Sequence, residues 1–301
     1  MKIKKYAAID IGSNAIRMLI TNVISKNNNT YIQKNSLIRL PIRLGLDSFT
    51  KGYISESKII NLIDAFKSFK LIMKIHNICE YKVYATSALR ESENKNEVVN
   101  RVFSESNINI EIIDGVKEAM VISKTNIFKK SDYYKTYLYV DVGGGSTELS
   151  IIKNSKKVLS KSFKLGTVRL IHSTKKNKEW RNMKEWIKEN LNENSKVYLL
   201  GTGGNINKIH KLTNTSEGKP ITSLILSSFF QKLNNLSYEE RIVNWGLNPD
   251  RSDVIIPAMK IYLNILSWTN SKVIFVPQAG LTDGMIREII NIDDVKIPNR
   301  K

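Results

Sequence analysis

Cysteine is nearly absent from this chain: Cys79 is the only one in 301 residues. An intrachain disulfide is therefore excluded, and a reducing cytosol is the expected setting. Long apolar runs are missing too, and nothing approaches the roughly 18 uninterrupted apolar residues of a membrane span. The basic start, Met1-Lys2-Ile3-Lys4-Lys5, leads straight into a strand pattern and not into the apolar region of a signal peptide, so a cytoplasmic protein is expected. His76, His172 and His210 are scattered without metal-ligand spacing and read as structural or surface residues. No zinc-ligand spacing, RNA-binding signature or arginine-rich arm occurs, so no specific nucleic-acid partner is expected. Acidic residues are scarce, 28 against 47 Lys and Arg, for a formal net charge of +19. That balance invites a polyanion. A second source is the abundance of Lys, Asn and Ile that an AT-biased coding genome brings, with solvated runs such as Lys175-Lys176-Asn177-Lys178.

The length suits about two domains. The apolar fraction of 42% is enough for real cores. Two segments repeat one design. Tyr6-Ala7-Ala8-Ile9-Asp10-Ile11-Gly12-Ser13-Asn14 and Leu138-Tyr139-Val140-Asp141-Val142-Gly143-Gly144-Gly145-Ser146-Thr147-Glu148 each run an apolar strand into an Asp, glycine and a hydroxyl residue. Glycine admits close backbone approach. Successive N–H groups in such a turn form an anion nest. An Asp at the strand end can hold a cation that offsets phosphate charge. Two such turns predict two half-domains gripping one phosphorylated ligand.

Residues 3–40 alternate like three antiparallel strands. From Glu56 to Asn77, Ile59, Ile60, Ile63, Phe66, Phe69, Leu71, Ile72 and Ile75 follow a helical stripe, with Ser55 as N-cap. The strand at Val83–Ala85 ends in Thr86-Ser87-Ala88-Leu89-Arg90, and a helix near 95–105, a strand at 108–112 and a helix after Asp114-Gly115 follow. The second half repeats the order, with strands over 136–164, helices near 166–171 and 178–191, and a strand at Val197–Leu200 that leads through Gly201-Thr202-Gly203-Gly204 into a helix. Helices over 222–233 and 252–267, a strand at Val273–Val276 and a last helix after Gly284 complete the chain. This is an α/β protein with internal duplication. No low-complexity linker separates the halves, and the junction falls near Ser123–Asp132. Trp180, Trp186, Trp245 and Trp268 read as helix-packing residues.

The stretches AAIDIGSNAIRMLI (7–20), IRLGL (42–46), YATSALRES (84–92), IEIIDGVKEA (110–119), YVDVGGGSTELSI (139–151), LGTVRL (165–170) and LLGTGGN (199–205) occur in one order across most of the chain. With them the chain resembles the exopolyphosphatase/guanosine pentaphosphate phosphatase (Ppx/GppA) family, in a short two-domain form. The resemblance implies a duplicated actin-like, sugar-kinase-like and Hsp70-like (ribonuclease H-like) fold with an interdomain cleft. Domain I would span 1–124 plus the returning residues 281–301, and domain II 125–280.

It also implies a hydrolase of phosphoanhydrides assisted by Mg²⁺ or another divalent cation. Gly12, Ser13 and Asn14 would form one phosphate cradle and Gly144, Gly145, Ser146 and Thr147 its partner, with Ser87 and Arg90 as further phosphate ligands. Asp141 would hold the metal, with Asp10 in the matching position. Glu118 would be the general base, and Glu148 a second catalytic carboxylate that would support the metal or the water. Gly203, at the start of a helix, is either a third phosphate contact or a close-packing turn. The substrate would be inorganic polyphosphate; the alternatives are guanosine pentaphosphate (pppGpp) or, without turnover, a sensor of either. An ATP-dependent kinase fits the motifs less well, and a homodimer is compatible with them. Two departures stand out. The family's Glu-Glu-Ala-Arg reads Lys117-Glu118-Ala119-Met120, so Lys117 would either weaken the base or bind phosphate. The family's Gly-Leu-Arg-Glu-Gly reads Gly280-Leu281-Thr282-Asp283-Gly284.

Overall fold

The structure is a computed structural model that describes residues 1–27, 29–125, 135–153, 156–172, 177–192, 196–216, 218–277, 279–291 and 295–296. The chain divides into two compact units, Met1–Thr125 with Gly280–Lys301, and Asn126–Ala279.

The first unit opens with a meander of β1 (Lys2–Ile11), β2 (Ile16–Lys26) and β3 (Asn29–Leu40). Helices α1 (Leu44–Lys51) and α2 (Glu56–Ile75) follow, then β4 (Glu80–Ala85), α3 (Ser87–Glu91), α4 (Lys95–Ser106), β5 (Glu111–Ile112) and α5 (Gly115–Ser123). Alternation along β1 and β2 sends Ile9, Ile11, Ile16, Met18 and Ile20 to one face, where they meet Leu62, Phe66 and Phe69 of α2 and Val98 and Val102 of α4. The buried stripe of α2 is Ile59, Leu62, Ile63, Ala65, Phe66, Phe69 and Met73. Ile60, Leu71 and Ile75, expected in that stripe, face solvent, because the 3.6-residue period turns them off the seam. Ser55 does occupy the N-cap of α2, but its side chain makes no cap bond. Its backbone N–H donates to Asp47 Oδ2 at 3.0 Å and its hydroxyl donates to the same oxygen.

The second unit starts with β6 (Thr136–Val142), β7 (Thr147–Lys153) and β8 (Lys156–Phe163), then α6 (Thr167–His172), α7 (Asn177–Asn190), β9 (Val197–Thr202) and α8 (Gly204–Leu212). It continues with β10 (Ile221–Thr222), α9 (Ser223–Asn234), α10 (Tyr238–Trp245), α11 (Pro249–Ser252), α12 (Ile255–Trp268) and β11 (Val273–Phe275). Its core gathers Leu138, Val140, Leu149, Ile151 and Leu199 of the sheet against Met183, Ile187, Ile206, Tyr262 and Ile265 of the helices. The four tryptophans pack as expected. Trp186 meets Phe163 edge-on at 5.8 Å, Trp180 meets Trp268 at 6.0 Å and Trp245 meets Phe229 at 5.1 Å. His210 is buried, with Nε2 3.1 Å from the carbonyl oxygen of Lys219. The chain then returns to the first unit as α13 (Leu281–Ile290) and β12 (Val295–Lys296).

The sheets run β12-β3-β2-β1-β4-β5 and β10-β11-β9-β6-β7-β8. Each contains an antiparallel meander whose first strand pairs in parallel with the strand after the crossover, β4 or β9. That shared order is the duplicated ribonuclease H-like arrangement of actin-like proteins. The halves stay in step beyond the turns. β2 and β3 shift register between Ile20 and Thr21, and β7 and β8 shift between Ile151 and Ile152, the corresponding place. No helix among the described residues is long and apolar enough to cross a membrane.

Candidate active site

In the first unit the turn after Asp10 is closed by Gly12 N–H donating to the carbonyl of Ala15 at 3.2 Å. A Cβ on Gly12 would stand 3.1 Å from that oxygen. The next two carbonyls are taken by the start of α1: Ser13 accepts from Gly45 N–H at 2.8 Å and Asn14 from Arg43 N–H at 3.2 Å. Two predicted phosphate ligands from distant segments meet here, the buried hydroxyls of Ser13 and Ser87, 2.9 Å apart. Arg90, at the end of α3, donates from Nη1 to the carbonyl of Ile113 at 2.7 Å. Asp10 lies opposite Arg17 in the β1–β2 register and takes Nη1 of that arginine at 3.3 Å. Burial pushes the Asp10 carboxyl above its usual range, and the charge and hydrogen bond of Arg17 offset only part of that. Arg17 in turn lies opposite Arg39 of β3.

The second unit repeats this turn. Gly143 N–H donates to the carbonyl of Ser146 at 3.0 Å, as Gly12 does to Ala15. The carbonyls of Gly143 and Gly144 accept from the start of α6, Thr167 N–H at 3.0 Å and Val168 N–H at 2.8 Å, and Gly145 accepts from Arg169 Nε at 2.9 Å. With these carbonyls bound inward, the N–H groups of Gly144 and Gly145 meet no acceptor among the described residues, the condition of an anion nest. The helix that clamps each turn approaches it through a glycine. A Cβ on Gly45 would lie 3.0 Å from the carbonyl oxygen of Ser13, and one on Gly166 would lie 2.4 Å from that of Gly144. Thr147, a predicted phosphate ligand, uses its hydroxyl to donate to the carbonyl of Leu165. Ser146 is buried beside it.

Where the first unit pairs Asp10 with Arg17, the second pairs Asp141 with Glu148 in the β6–β7 register. Both carboxylates are buried, and Glu148 Oε1 accepts from Ser162 Oγ at 2.8 Å. On the other side of Asp141 the β6–β9 register places Thr202. Gly203 follows with φ +101°, and a Cβ there would stand 2.8 Å from Asp141 Oδ1. The lack of a side chain at Gly203 thus leaves room for the Asp141 carboxylate. Tyr262 donates to the carbonyl of Thr202 at 2.7 Å. Its phenol is pushed far up, first by burial and then by the charge of Asp141. Among the described residues no group of three or more His, Cys, Asp or Glu could hold a metal ion. A cation here would therefore rest on two carboxylates plus neutral oxygens and substrate, the usual manner of Mg²⁺.

Glu118 lies in the first turn of α5, largely buried. Asp114 caps the helix by accepting from Lys117 N–H at 2.7 Å, and Glu118 N–H donates to the Asp114 carbonyl at 2.9 Å. The charge of Lys117 goes elsewhere than expected: its ammonium binds Glu111 and stands 5.0 Å over the ring of Tyr84. Tyr84 donates to Glu288 of α13 at 2.8 Å, and Lys82 and Lys124 stand 3.4 and 3.7 Å from the same carboxylate. The second departure is also absorbed locally. Asp283 accepts from Gly280 N–H at 3.0 Å and pairs with Lys34 at 2.7 Å. Gly284 lets α13 touch α5, since a Cβ there would fall 2.0 Å from the carbonyl oxygen of Val121. Sequence reasoning passed over Arg17, Thr202, Ser162 and the three contact glycines. IRLGL and LGTVRL held the signal for Gly45 and Gly166, each a Leu-Gly pair following a meander.

The model of the Ppx/GppA phosphatase family matches residues 23–291. The chain is 31% identical over 306 residues to the bifunctional 3-dehydroquinate synthase/phosphatase of Fusobacterium nucleatum, an alignment that takes in 94% of this chain and 46% of that protein. It is 26% identical over 170 residues to exopolyphosphatase 1 of Mycobacterium tuberculosis, 55% of this chain and 47% of that one. The chain thus spans about half the length of these two relatives. The crystal structure of an exopolyphosphatase from Cytophaga hutchinsonii superposes with a TM-score of 0.81 at 23% identity, over 96% of this chain and 98% of that one, and shows the same fold.

Proposed function

The chain belongs to the Ppx/GppA phosphatase family, and from that premise we propose that it hydrolyses the terminal phosphoanhydride of inorganic polyphosphate and releases orthophosphate. The observation that carries the reading is the buried Asp141–Glu148 pair beside a glycine turn in which the N–H groups of Gly144 and Gly145 meet no acceptor among the described residues. A polyphosphate end is densely anionic, and the excess of Lys and Arg over acids suits it. The name of the mycobacterial relative points to the same substrate class.

Glu118 accepts a proton from water as the water oxygen attacks the terminal phosphorus. The bridging P–O bond breaks, and its electron pair leaves with the shortened chain. Gly144, Gly145 and Ser146, with Gly12, Ser13 and Asn14, bind phosphate oxygens, and Ser87 and Arg90 orient the chain end. A divalent cation fits the second unit by its chemistry: only oxygen donors are offered, and the buried hydroxyl of Thr202 has no partner among the described residues. Asp141 and Glu148 would hold it, and it would supply neutralisation of phosphate charge. Asp10, already paired with Arg17, is the weaker candidate for that role.

The test is phosphate release from short polyphosphate, long polyphosphate and pppGpp, with Mg²⁺ and with EDTA, for the wild type and Glu118→Gln. We expect release from polyphosphate that needs the cation and falls by about 10²-fold or more in the variant. Release from the nucleotide alone would make the protein a pppGpp phosphatase. Binding without release from any substrate would make it a sensor.

A further inference from the structure

Thr202 is fully buried, and its hydroxyl finds no hydrogen-bond partner among the described residues. Most buried hydroxyls are satisfied, so an orphan marks either a defect or a missing ligand. Its position decides between these. Thr202 is the register partner of Asp141 on parallel strands, so the two side chains leave the sheet on the same face. Glu148 is the register partner of Asp141 on the other side. Three oxygen-bearing side chains, Glu148, Asp141 and Thr202, thus form one row across three adjacent strands. The opposite face of the same strands is the apolar core, with Val140 and Leu199. Two further features hold the row in place. The carbonyl of Thr202 is pinned by Tyr262 at 2.7 Å, and the glycine after it leaves space for Asp141 Oδ1. A threonine hydroxyl beside carboxylates is a hard oxygen donor, the type that ligates Mg²⁺ in the phosphate loops of nucleotide-binding enzymes.

We propose that Thr202 is a third oxygen ligand of the divalent cation held by Asp141 and Glu148, directly or through one bound water. Its hydroxyl adds a neutral lone pair, which raises affinity without adding repulsion between acids. This rests on the metal reading above and extends it to a residue outside the acidic pair. The register sets Thr202 apart within β9: it is the strand position level with Asp141.

The test measures Mn²⁺ binding to the full chain by electron paramagnetic resonance of the free ion, without substrate. Thr202→Val keeps the shape and removes the hydroxyl; we expect binding roughly 10-fold weaker or more. Thr202→Ser is expected to stay within about 3-fold of wild type, since the oxygen remains. Thr21→Val is the control: Thr21 is another buried orphan hydroxyl, on β2 of the first unit, and its removal is expected to leave Mn²⁺ affinity unchanged. Without metal, Thr202→Val should melt at or above the wild-type temperature, because it removes an unsatisfied polar group. Wild-type Mn²⁺ affinity in Thr202→Val overturns the proposal while leaving Asp141 and Glu148 as ligands. Failure of both Thr202→Val and Thr202→Ala to fold without metal also overturns it, by making the hydroxyl structural. Absence of Mn²⁺ binding in the wild type overturns the metal reading itself.

Discussion

Replacing Gly284 by alanine tests whether α13 sets the position of α5, the helix that carries the proposed base Glu118. The added Cβ would lie 2.0 Å from the carbonyl oxygen of Val121, 2.6 Å from its carbonyl carbon and 3.0 Å from its Cγ1. Non-bonded carbon contacts are comfortable near about 3.5–4.0 Å, so α13 and α5 must part by about 1 Å or more. The nearest atoms are backbone, and no rotamer change relieves them. Overpacking of this kind costs about 1–3 kcal/mol, and the upper end applies when backbone must move. Against it stands a helix-propensity gain of about 1 kcal/mol for Gly→Ala. We expect a net loss of about 2 kcal/mol, read as a lower guanidinium midpoint at unchanged slope. Because α5 carries Glu118 one turn before Val121, the same shift should lower kcat by up to about 10²-fold with little change in KM. Gly280→Ala at the head of the same helix is the control, since nothing lies within 4 Å of its Cβ; it should cost less than about 1 kcal/mol. A Gly284→Ala protein with wild-type midpoint and kcat would refute the claim that this contact positions the base.

Gly166→Ala should raise KM for polyphosphate and cost about 1–3 kcal/mol in denaturant titrations. Its Cβ meets the backbone of Gly144 and Gly145 at 2.4 Å, whereas Gly45→Ala, whose nearest atom is the ring of Phe49, should be milder. Arg17→Met strips the buried Asp10 of its partner and should destabilise by about 3–5 kcal/mol, with Asp10→Asn/Arg17→Met recovering most of it in a double-mutant cycle. The Asp10 carboxyl, already pushed up by burial, would rise further, so this variant should gain stability as pH falls through that raised value toward the ordinary aspartate range. For Glu288, burial pulls upward, but the Tyr84 hydrogen bond and the charges of Lys82 and Lys124 outweigh it and hold the carboxyl below its usual range. Its contribution is present above the ordinary glutamate range and lost as pH falls through the depressed value. In thermal melts across pH, Glu288→Gln should be less stable than wild type near neutrality and equal to it at the acid end.

The meanders, the crossovers and both glycine turns could be read from period and turn residues alone, because alternation with one apolar face and an Asp-x-Gly break are local signals. Short elements were not: α1, α3, α10 and α11 lack the length to show a period, and two-residue strands such as β10 and β12 exist through their pairing partners. Within α2, richness in isoleucine hid the seam, since Ile60 and Ile75 look as apolar as Ile59 and Ile63. At the site, residue types were legible and partners were not. Lys117 reads from sequence as a charge beside the base, but helix geometry turns the residue before Glu118 about 100° away, toward Glu111 and Tyr84. Gly284 reads as an unremarkable helical glycine until Val121, far off in sequence, is placed against it.

The duplication is most informative where it fails. The two turns match in their closing hydrogen bond, their clamping helix and the glycine through which that helix approaches. They part at the two register partners of the strand-end Asp, which are Arg17 and Tyr84 in the first unit and Glu148 and Thr202 in the second. An Asp beside an arginine has its charge balanced locally, and with Arg39 opposite Arg17 the row carries net positive charge. An Asp beside a glutamate brings two carboxyl groups together in a buried place, an arrangement that a bound cation would stabilise. On the proposed function, one scaffold used twice would offer a phosphate-binding turn in both copies and a cation site beside the turn in the second alone. Exchange of the acidic partner tests this: Glu148→Arg should abolish Mn²⁺ binding by the second unit while its glycine turn stays intact, and retained Mn²⁺ binding in that variant would show that the asymmetry does not assign the cation.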